Sequence, residues 1–208
     1  MLKIYYADIS RLDLEAVGPL SDYRKKKLET IKPLLKRRQG IGAELLLNEA
    51  VRRSWPELKL PMEIETEEKG KPFCRDLPGH FSLSHSGDYA VCAVSSQPLG
   101  VDIQKKVEYR ADVSERCFSP DEREQLFKAA DRDVEFTRIW ALKESYLKAS
   151  GIGIFTPLSS FSTVEKIQKA ACGFWHTEIG EYQLAVCVRG VSASCPDEFE
   201  EIFIKTRV

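Results

Sequence analysis

The segment GVDIQ, residues 100–104, combines a strand-like apolar alternation with an acid at its centre. Because side chains alternate between the two faces of a strand, Val101 and Ile103 are expected to face a core. Asp102 and Gln104 then share the opposite face. A carboxylate on that face needs water, a hydrogen-bonding partner or a metal ion. Two interpretations of Asp102 follow from the segment, a solvated edge strand and a functional site.

A second segment, WALKESYLK at residues 140–148, lies in the clearest helix that the sequence predicts. Its residues Glu144 and Lys148 are four apart, which places them on one face of the helix. An ordinary surface ion pair is one interpretation, and it would contribute only about 0.3–0.5 kcal/mol. Trp140 lies one turn earlier on that face and indicates that the face is partly covered. A covered acid and amine favour a functional site.

Asp102 and Glu144 together offer two carboxylates from different elements, and Gln104 adds an amide oxygen. Mg²⁺ prefers oxygen ligands and completes its coordination shell with waters and substrate phosphates. Lys148 beside such a site suits a phosphate-containing substrate, as a neutralising charge or as a proton donor. The pattern therefore predicts a magnesium site next to a bound phosphate.

Two further segments carry residues that could contact an anion. In GKP at 70–72, Lys71 stands between a glycine and a proline and is expected in an ordered turn. In FSLSHSG at 81–87, Ser84 and His85 end a predicted strand. A buried structural role is equally open for His85, because it has the strand parity of apolar neighbours.

Basic residues cluster in the helical region near the N-terminus, as Arg24, Lys25, Lys26, Lys27, Lys36, Arg37 and Arg38. Runs of this kind usually form solvated helix faces. Arg24 and Lys27 share one face, however, and could hold a phosphate together.

The composition describes a globular chain of 208 residues, 43% hydrophobic and 30% charged, with a formal net charge of -1. This charge argues against a nucleic-acid partner. The N-terminal MLKIYYADIS alternates like a strand instead of resembling a signal peptide, and no apolar run reaches the roughly 18 residues of a membrane span. The six cysteines are scattered and without zinc-ligand spacing, so free thiols and a cytoplasmic location are expected.

The order of predicted elements indicates an α+β fold. Residues 2–7 read as a strand, residues 21–54 as helix broken at Pro33, and FSPDEREQ as a helix start with a capping box. The region from SFSTVEKIQ at 160–168 onward reads as antiparallel strands. GDYAVCAV and GEYQLAVCV echo each other, which suggests two similar α+β halves, 1–104 and 105–208.

The order GKP, FSLSHSG, GVDIQ and WALKESYLKASG resembles the 4'-phosphopantetheinyl transferases. The resemblance is to the two-domain type that activates surfactin synthetase and other peptide or polyketide synthases, and it covers residues from about 70 to 165. It implies two similar halves related by a pseudo-twofold axis. It also implies transfer of the phosphopantetheine arm of coenzyme A to a serine of an apo carrier protein, which releases adenosine 3',5'-bisphosphate.

The resemblance implies a role for each matched residue. Asp102 and Glu144 match magnesium ligands, and Glu144 is also a candidate to deprotonate the carrier serine. Lys148 matches the lysine that faces the pyrophosphate and assists the leaving group. The expected coenzyme A contacts are Lys71, Ser84, His85, Arg38 and, for the 3'-phosphate, Arg24 and Lys27.

Gln104 departs from the family pattern, in which many members have glutamate at this position. The departure removes one negative charge from the metal site, so we expect weaker Mg²⁺ binding before substrate arrives. An amide oxygen can still act as a secondary ligand, but residue 104 cannot serve as the general base at neutral pH.

Two other functions are compatible with these residues. A Mg²⁺-dependent nuclease would also use separated acids and a lysine. A degenerate coenzyme A-binding protein is suggested by Gln104 and would bind without transfer. Within the transferase interpretation, the expected metal is Mg²⁺ or Mn²⁺, and the partner is an acyl, peptidyl or aryl carrier of fatty acid, polyketide or nonribosomal peptide synthesis. A monomer that contacts no membrane is expected.

Overall fold

The computed structural model describes residues 1–15, 17–153, 156–169, 172–190 and 196–204. The chain forms two compact units. The first unit contains Met1–Ser96 and the described residues from Pro196 onward. The second unit contains the described residues of Gln97–Cys195.

The elements follow in chain order. They are β1 (Leu2–Asp8), α1 (Asp22–Thr30), α2 (Leu34–Ser54), β2 (Glu65–Thr66), β3 (Pro72–Phe73), β4 (His80–Ser86), β5 (Tyr89–Ser95), β6 (Leu99–Lys105), α3 (Ala111–Cys117), α4 (Pro120–Lys128), α5 (Arg132–Ser150), a 3₁₀ turn (Leu158–Ser160), α6 (Thr163–Gln168), β7 (Cys172–Ile179), β8 (Tyr182–Arg189) and β9 (Glu198–Glu201). This mixture of helices and mainly antiparallel strands confirms the α+β class.

The first unit packs a long helix against a four-stranded sheet of order β4-β5-β1-β9. Strands β1 and β5 pair antiparallel along their full length, and β9 joins β1 in parallel. Helix α2 begins after Pro33, as the sequence predicts, and it buries Ile41, Leu46, Leu47 and Ala50 against the sheet core. Burial of these apolar side chains is the main source of stability in this unit.

The second unit packs α5 against a three-stranded antiparallel sheet of order β6-β8-β7. Small and apolar side chains fill the space between them, with Ala141 and Leu142 of α5 against Ala185 of β8. Further along, Ala149 packs against Cys172 and Cys187. Small residues at these positions let the helix lie close to the sheet.

The boundary between the units differs from the expected division at 104/105. Strand β6 hydrogen-bonds to β8 in a register that runs from Leu99↔Val188 to Lys105↔Tyr182, so it belongs to the second unit. The chain divides at Ser96 instead, and β9 returns to the first unit.

The expectation of strands over residues 160–168 is wrong. The segment contains helix α6, and the Ser162 side chain accepts a hydrogen bond from the Glu165 backbone N–H at its start. The backbone N–H and the hydroxyl of Thr163 donate separately to Glu122. An N-cap serine with an acid three residues later is a helix signal, and it outweighs the β-branched residues nearby.

Candidate active site

Strand β6 presents Asp102 on a covered face of the sheet. Asp102 is 2% exposed, and the neighbouring Val101 and Ile103 are also buried. Gln104 Nε2 donates a hydrogen bond to Asp102 Oδ2 at 2.8 Å, so these two residues share a face as the sequence predicts. The burial excludes the interpretation of Asp102 as a residue of a solvated edge strand.

Gly100 sets the distance between β6 and α5. A Cβ atom at this position would lie 2.1 Å from Ser145 O and 2.4 Å from Ala149 N, both of which are helix backbone atoms. Only glycine therefore permits this approach. Sequence reasoning treated Gly100 as the first residue of a strand-like segment and missed this role, although an isolated glycine in a strand is a signal of close backbone packing.

Helix α5 carries the other candidate residues. It begins after Asp131, whose side chain accepts from the Asp133 and Val134 backbone N–H groups, and it ends at Gly151 with φ +64°. Both ends therefore have the caps that a long helix needs. This placement brings Glu144 and Lys148 against the face of β6 that carries Asp102.

Lys148 is bound to Asp102 and is not a simple surface residue. Its Nζ lies 2.6 Å from Asp102 Oδ1 and 3.1 Å from the Val101 carbonyl oxygen, while 30% of the side chain stays exposed. The ammonium group thus neutralises the buried carboxylate, while part of the Lys148 side chain remains exposed. This arrangement argues against the interpretation of Glu144 and Lys148 as an ordinary surface pair.

The Glu144 carboxyl is influenced by the charges of Asp102 and Lys148. Burial raises the pKa of the Glu144 carboxyl above its ordinary value, the negative charge of Asp102 raises it further, and Lys148 opposes the shift. The carboxylates of Asp102 and Glu144 are therefore close enough to repel each other, and the charge of Lys148 partly offsets this repulsion. Additional positive charge would relieve this repulsion.

The donor set fits a divalent cation. Asp102 and Glu144 supply carboxylate oxygens, and Gln104 supplies an amide oxygen from the same face of β6. In the part of the chain that the structure describes, no group of three or more His, Cys, Asp or Glu side chains could hold a metal. A cation here would need substrate or water oxygens to complete its shell, which is typical of Mg²⁺.

A cavity of about 360 Å³ lies beside Gln104. Its walls are mainly apolar and include Val107, Phe136 and Trp140. Trp140 therefore lies near the site, as the prediction of a covered helix face required.

The remaining predicted site residues lie in the first unit. Lys71 follows Gly70, which has φ +87°, and its carbonyl oxygen accepts from the Glu67 backbone N–H at 2.8 Å. Ser84 is buried on β4, whereas His85 is exposed. The alternative of a buried structural histidine at position 85 is therefore wrong.

Arg24, Lys27 and Arg38 have three different environments. Arg24 is buried, and its Nε pairs with Glu44 Oε2 at 3.3 Å. Lys27 is exposed, and its Nζ lies 4.5 Å from the centre of the Tyr23 ring. Arg38 is half-buried, and its Nε is a buried donor without a hydrogen-bond partner among the described residues.

Sequence reasoning also missed Gln39, the residue after Arg38. Gln39 is buried and donates from Nε2 to the Gly87 carbonyl oxygen at 3.0 Å, which ties α2 to the turn between β4 and β5. Its Oε1 lacks a hydrogen-bond partner within the described residues. An amide next to a basic residue gives no sequence signal of this contact.

Comparison with known proteins identifies the family. The family model of the 4'-phosphopantetheinyl transferase superfamily matches residues 98–194, which is nearly the whole second unit. A 4'-phosphopantetheinyl transferase of Bacillus subtilis is 34% identical over 177 residues, which are 78% of this chain and 77% of that protein. The chain belongs to the 4'-phosphopantetheinyl transferase superfamily.

Two other members of the superfamily are similar. The 4'-phosphopantetheinyl transferase psf-1 of Bacillus pumilus is 35% identical over 74% of this chain and 67% of its own length. The 4'-phosphopantetheinyl transferase Sfp of Bacillus subtilis is 38% identical over 57% of this chain. The match spans about half of that relative, at 54% of its length.

These comparisons confirm the superfamily and the transferase class that the sequence predicted. A solved holo-[acyl-carrier-protein] synthase of Thermotoga maritima is 15% identical over 47% of this chain and 64% of its own, with a TM-score of 0.36, and this remote likeness carries no argument. Among the described residues, no helix combines the length and apolar character needed to cross a lipid bilayer.

Proposed function

We propose that this transferase moves the 4'-phosphopantetheine group of coenzyme A to a serine of an apo carrier protein and releases adenosine 3',5'-bisphosphate. The observation that carries the proposal is the contact of Lys148 Nζ with Asp102 at 2.6 Å, beside Gln104 and Glu144. This group lies in the unit that the family model matches. It combines oxygen ligands for a cation with an ammonium group for a phosphate.

Asp102 and Glu144 would hold Mg²⁺ or Mn²⁺, with Gln104 as a secondary ligand. The bound cation supplies positive charge that stabilises the pyrophosphate of coenzyme A during transfer. Gln104 now donates to Asp102. It would therefore have to turn its amide to present the oxygen.

Lys148 orients the pyrophosphate and neutralises the leaving group. Its exposed portion makes the ammonium accessible to an anion. A bond forms between the serine Oγ and the phosphorus joined to pantetheine, and the bond from that phosphorus to the adenosine phosphate oxygen breaks. The pair of electrons leaves with that oxygen, where the charge of Lys148 acts.

Glu144 accepts the proton of the serine hydroxyl. The raised pKa of its carboxyl, caused by burial and by Asp102, makes the ionised form a stronger base than an ordinary glutamate. Gln104 cannot take this role.

In the first unit, we assign the coenzyme A contacts to six residues, Lys71, Ser84, His85, Arg38, Arg24 and Lys27. Arg38 Nε, which has no hydrogen-bond partner among the described residues, and the exposed Lys27 support phosphate binding. Among these six residues, Arg24 has the least support as a phosphate contact, because Glu44 already neutralises its charge.

The partner is an acyl, peptidyl or aryl carrier protein. We place the protein in the cytoplasm as a monomer. The cysteines at 74, 92, 117, 172 and 187 are free thiols, which suits a reducing compartment.

Intact-mass spectrometry of an apo carrier protein tests the proposal. Incubation with the transferase, coenzyme A and Mg²⁺ should add one phosphopantetheine, and EDTA should prevent the addition. Coenzyme A binding without transfer to any carrier type would favour the degenerate binder. Cleavage of DNA in place of transfer would favour the nuclease.

A further inference from the structure

A fully buried ion pair joins α4 to α5 outside the proposed metal site. Lys143 Nζ lies 2.6 Å from Glu122 Oε2, and both side chains are 0% exposed. Burial of two charges costs several kcal/mol for each ion unless hydrogen bonds satisfy them. The role of this pair therefore depends on the other groups that hydrogen-bond to Glu122 and Lys143.

The hydrogen bonds of Glu122 reach two segments besides α5. Its Oε2 accepts from the Ser119 backbone N–H at 2.9 Å, which completes the capping box of α4. Its Oε1 accepts from the backbone N–H and the side-chain hydroxyl of Thr163, both at 2.8 Å. Glu122 is thus bound on both oxygens.

Lys143 also contacts the segment that contains Thr163. Its Nζ donates to the Phe161 carbonyl oxygen at 2.7 Å and lies 4.3 Å from the centre of the Phe161 ring. The pair therefore fastens α5 to the start of α4 and to residues 161–163. A capping box needs only Ser119 and Glu122, so Lys143 adds a connection that helix capping does not require.

This connection lies one residue before Glu144. Along the helix, the backbone of α5 also touches Gly100 at Ser145 and Ala149. The Gly100 contact fixes the distance of α5 from β6, but glycine has no side chain with which to fix the rotation of the helix. The ion pair supplies a second, directional attachment on another face.

We infer that Glu122 and Lys143 are positioning residues that fix the rotation and axial placement of α5 and so hold Glu144 and Lys148 in register with Asp102. This inference rests on the proposed function. Without the pair, α5 keeps its apolar contacts, but Glu144 no longer meets Asp102 at the spacing a cation requires. Groups that orient metal ligands change metal affinity or activity by about 10–100-fold when removed.

The test compares two variants with the unaltered protein. Glu122→Leu/Lys143→Met replaces the pair by apolar side chains, a change that often preserves stability. Leu126→Ala is the matched control, since Leu126 packs in the apolar cluster with Phe136 and Ile139 of α5 and belongs to none of the hydrogen bonds above. Mn²⁺ affinity is measured by electron paramagnetic resonance, with thermal unfolding, kcat and the KM for coenzyme A.

The double variant should unfold cooperatively, bind Mn²⁺ at least about tenfold more weakly, lose kcat and raise the KM for coenzyme A, because both Glu144 and Lys148 move with α5. Leu126→Ala should unfold at a lower temperature and keep its Mn²⁺ affinity. If the double variant does not fold, Glu122→Gln/Lys143→Met takes its place with the same expected loss, because it keeps an acceptor oxygen at position 122 and leaves no unpaired buried charge.

Mn²⁺ affinity within about twofold of the unaltered protein in a folded double variant, or equal losses in both variants, would overturn the inference. An unaltered protein that neither binds Mn²⁺ nor transfers phosphopantetheine would instead refute the proposed function.

Discussion

Lys148 and Asp102 form a direct ion pair, with Nζ 2.6 Å from Oδ1, although 46 residues separate them in the chain. The buried carboxylate is neutralised by a side chain that stays partly exposed. Under the proposed function, Asp102 would be a ligand of the cation and Lys148 would contact the phosphates of the substrate. The proposal therefore predicts that the binding of metal and the binding of coenzyme A are coupled through this pair.

Asp102→Asn tests the metal site directly. The asparagine keeps an oxygen for Lys148, so the fold should persist, but one ligand charge is lost. A divalent cation supplies several kcal/mol of charge stabilisation, which corresponds to a loss in transfer rate of about 100-fold or more. The rate is measured by carrier mass shift and the fold by circular dichroism. Normal turnover in Mg²⁺ would show that Asp102 is not a ligand.

Gln104→Glu should strengthen cation binding in the absence of coenzyme A. Ligand charge is a main determinant of affinity at oxygen sites, and one added carboxylate should raise Mn²⁺ affinity by about tenfold. Gln104→Leu is the control, because it removes the amide without adding charge. Equal Mn²⁺ affinity in Gln104→Glu and the unaltered protein would place residue 104 outside the coordination shell.

The sequence predicts helix α5 well because both of its ends carry strong local signals, Asp131 and Gly151. The face-sharing of Asp102 and Gln104 follows from strand alternation in the same way. The contact of Lys148 with Asp102 is different, since it depends on how α5 packs on β6. The sequence groups these residues by their chemistry and by the family resemblance, but neither gives the packing that brings Lys148 to Asp102.

Packing also explains what sequence reasoning missed. Glu122 reads as a capping residue, and its bond to Lys143 depends on the placement of two helices. Gly100 reads as an ordinary strand residue until the helix backbone is seen beside it. The division at 104/105 grouped β6 with the strands that precede it in the chain. Its hydrogen-bond partner, β8, instead lies about 80 residues later.

Gly100→Ala should destabilise the second unit. The added Cβ would meet backbone atoms at 2.1 and 2.4 Å, so α5 must move. Overpacking of this kind costs about 1–3 kcal/mol and should also weaken Mn²⁺ binding, because Glu144 and Lys148 move with the helix. Gly18→Ala is the control, since a Cβ at Gly18 has no heavy atom within 4 Å. Equal thermal midpoints for the two variants would contradict the close approach of the α5 backbone to Gly100.

Glu44 should give the first unit a pH-dependent stability. Burial raises the pKa of its carboxyl above the ordinary value of 4.5, and hydrogen bonds from Ser21 and the charge of Arg24 only partly oppose this. A carboxyl with a raised pKa in the folded state contributes stability below its unfolded pKa. That contribution is lost as the pH rises through the folded pKa.

Glu44→Gln removes this titration. Arg24 loses its partner at every pH, which adds a constant cost, so the slope is the informative quantity. The free energy of unfolding of Glu44→Gln minus that of the unaltered protein should increase as the pH rises from about 4.5 towards neutrality, because only the unaltered protein loses stability over this range. Urea unfolding across this range measures the slope. A difference that stays constant with pH, or falls as the pH rises, would mean that Ser21 and Arg24 fully compensate the burial of Glu44.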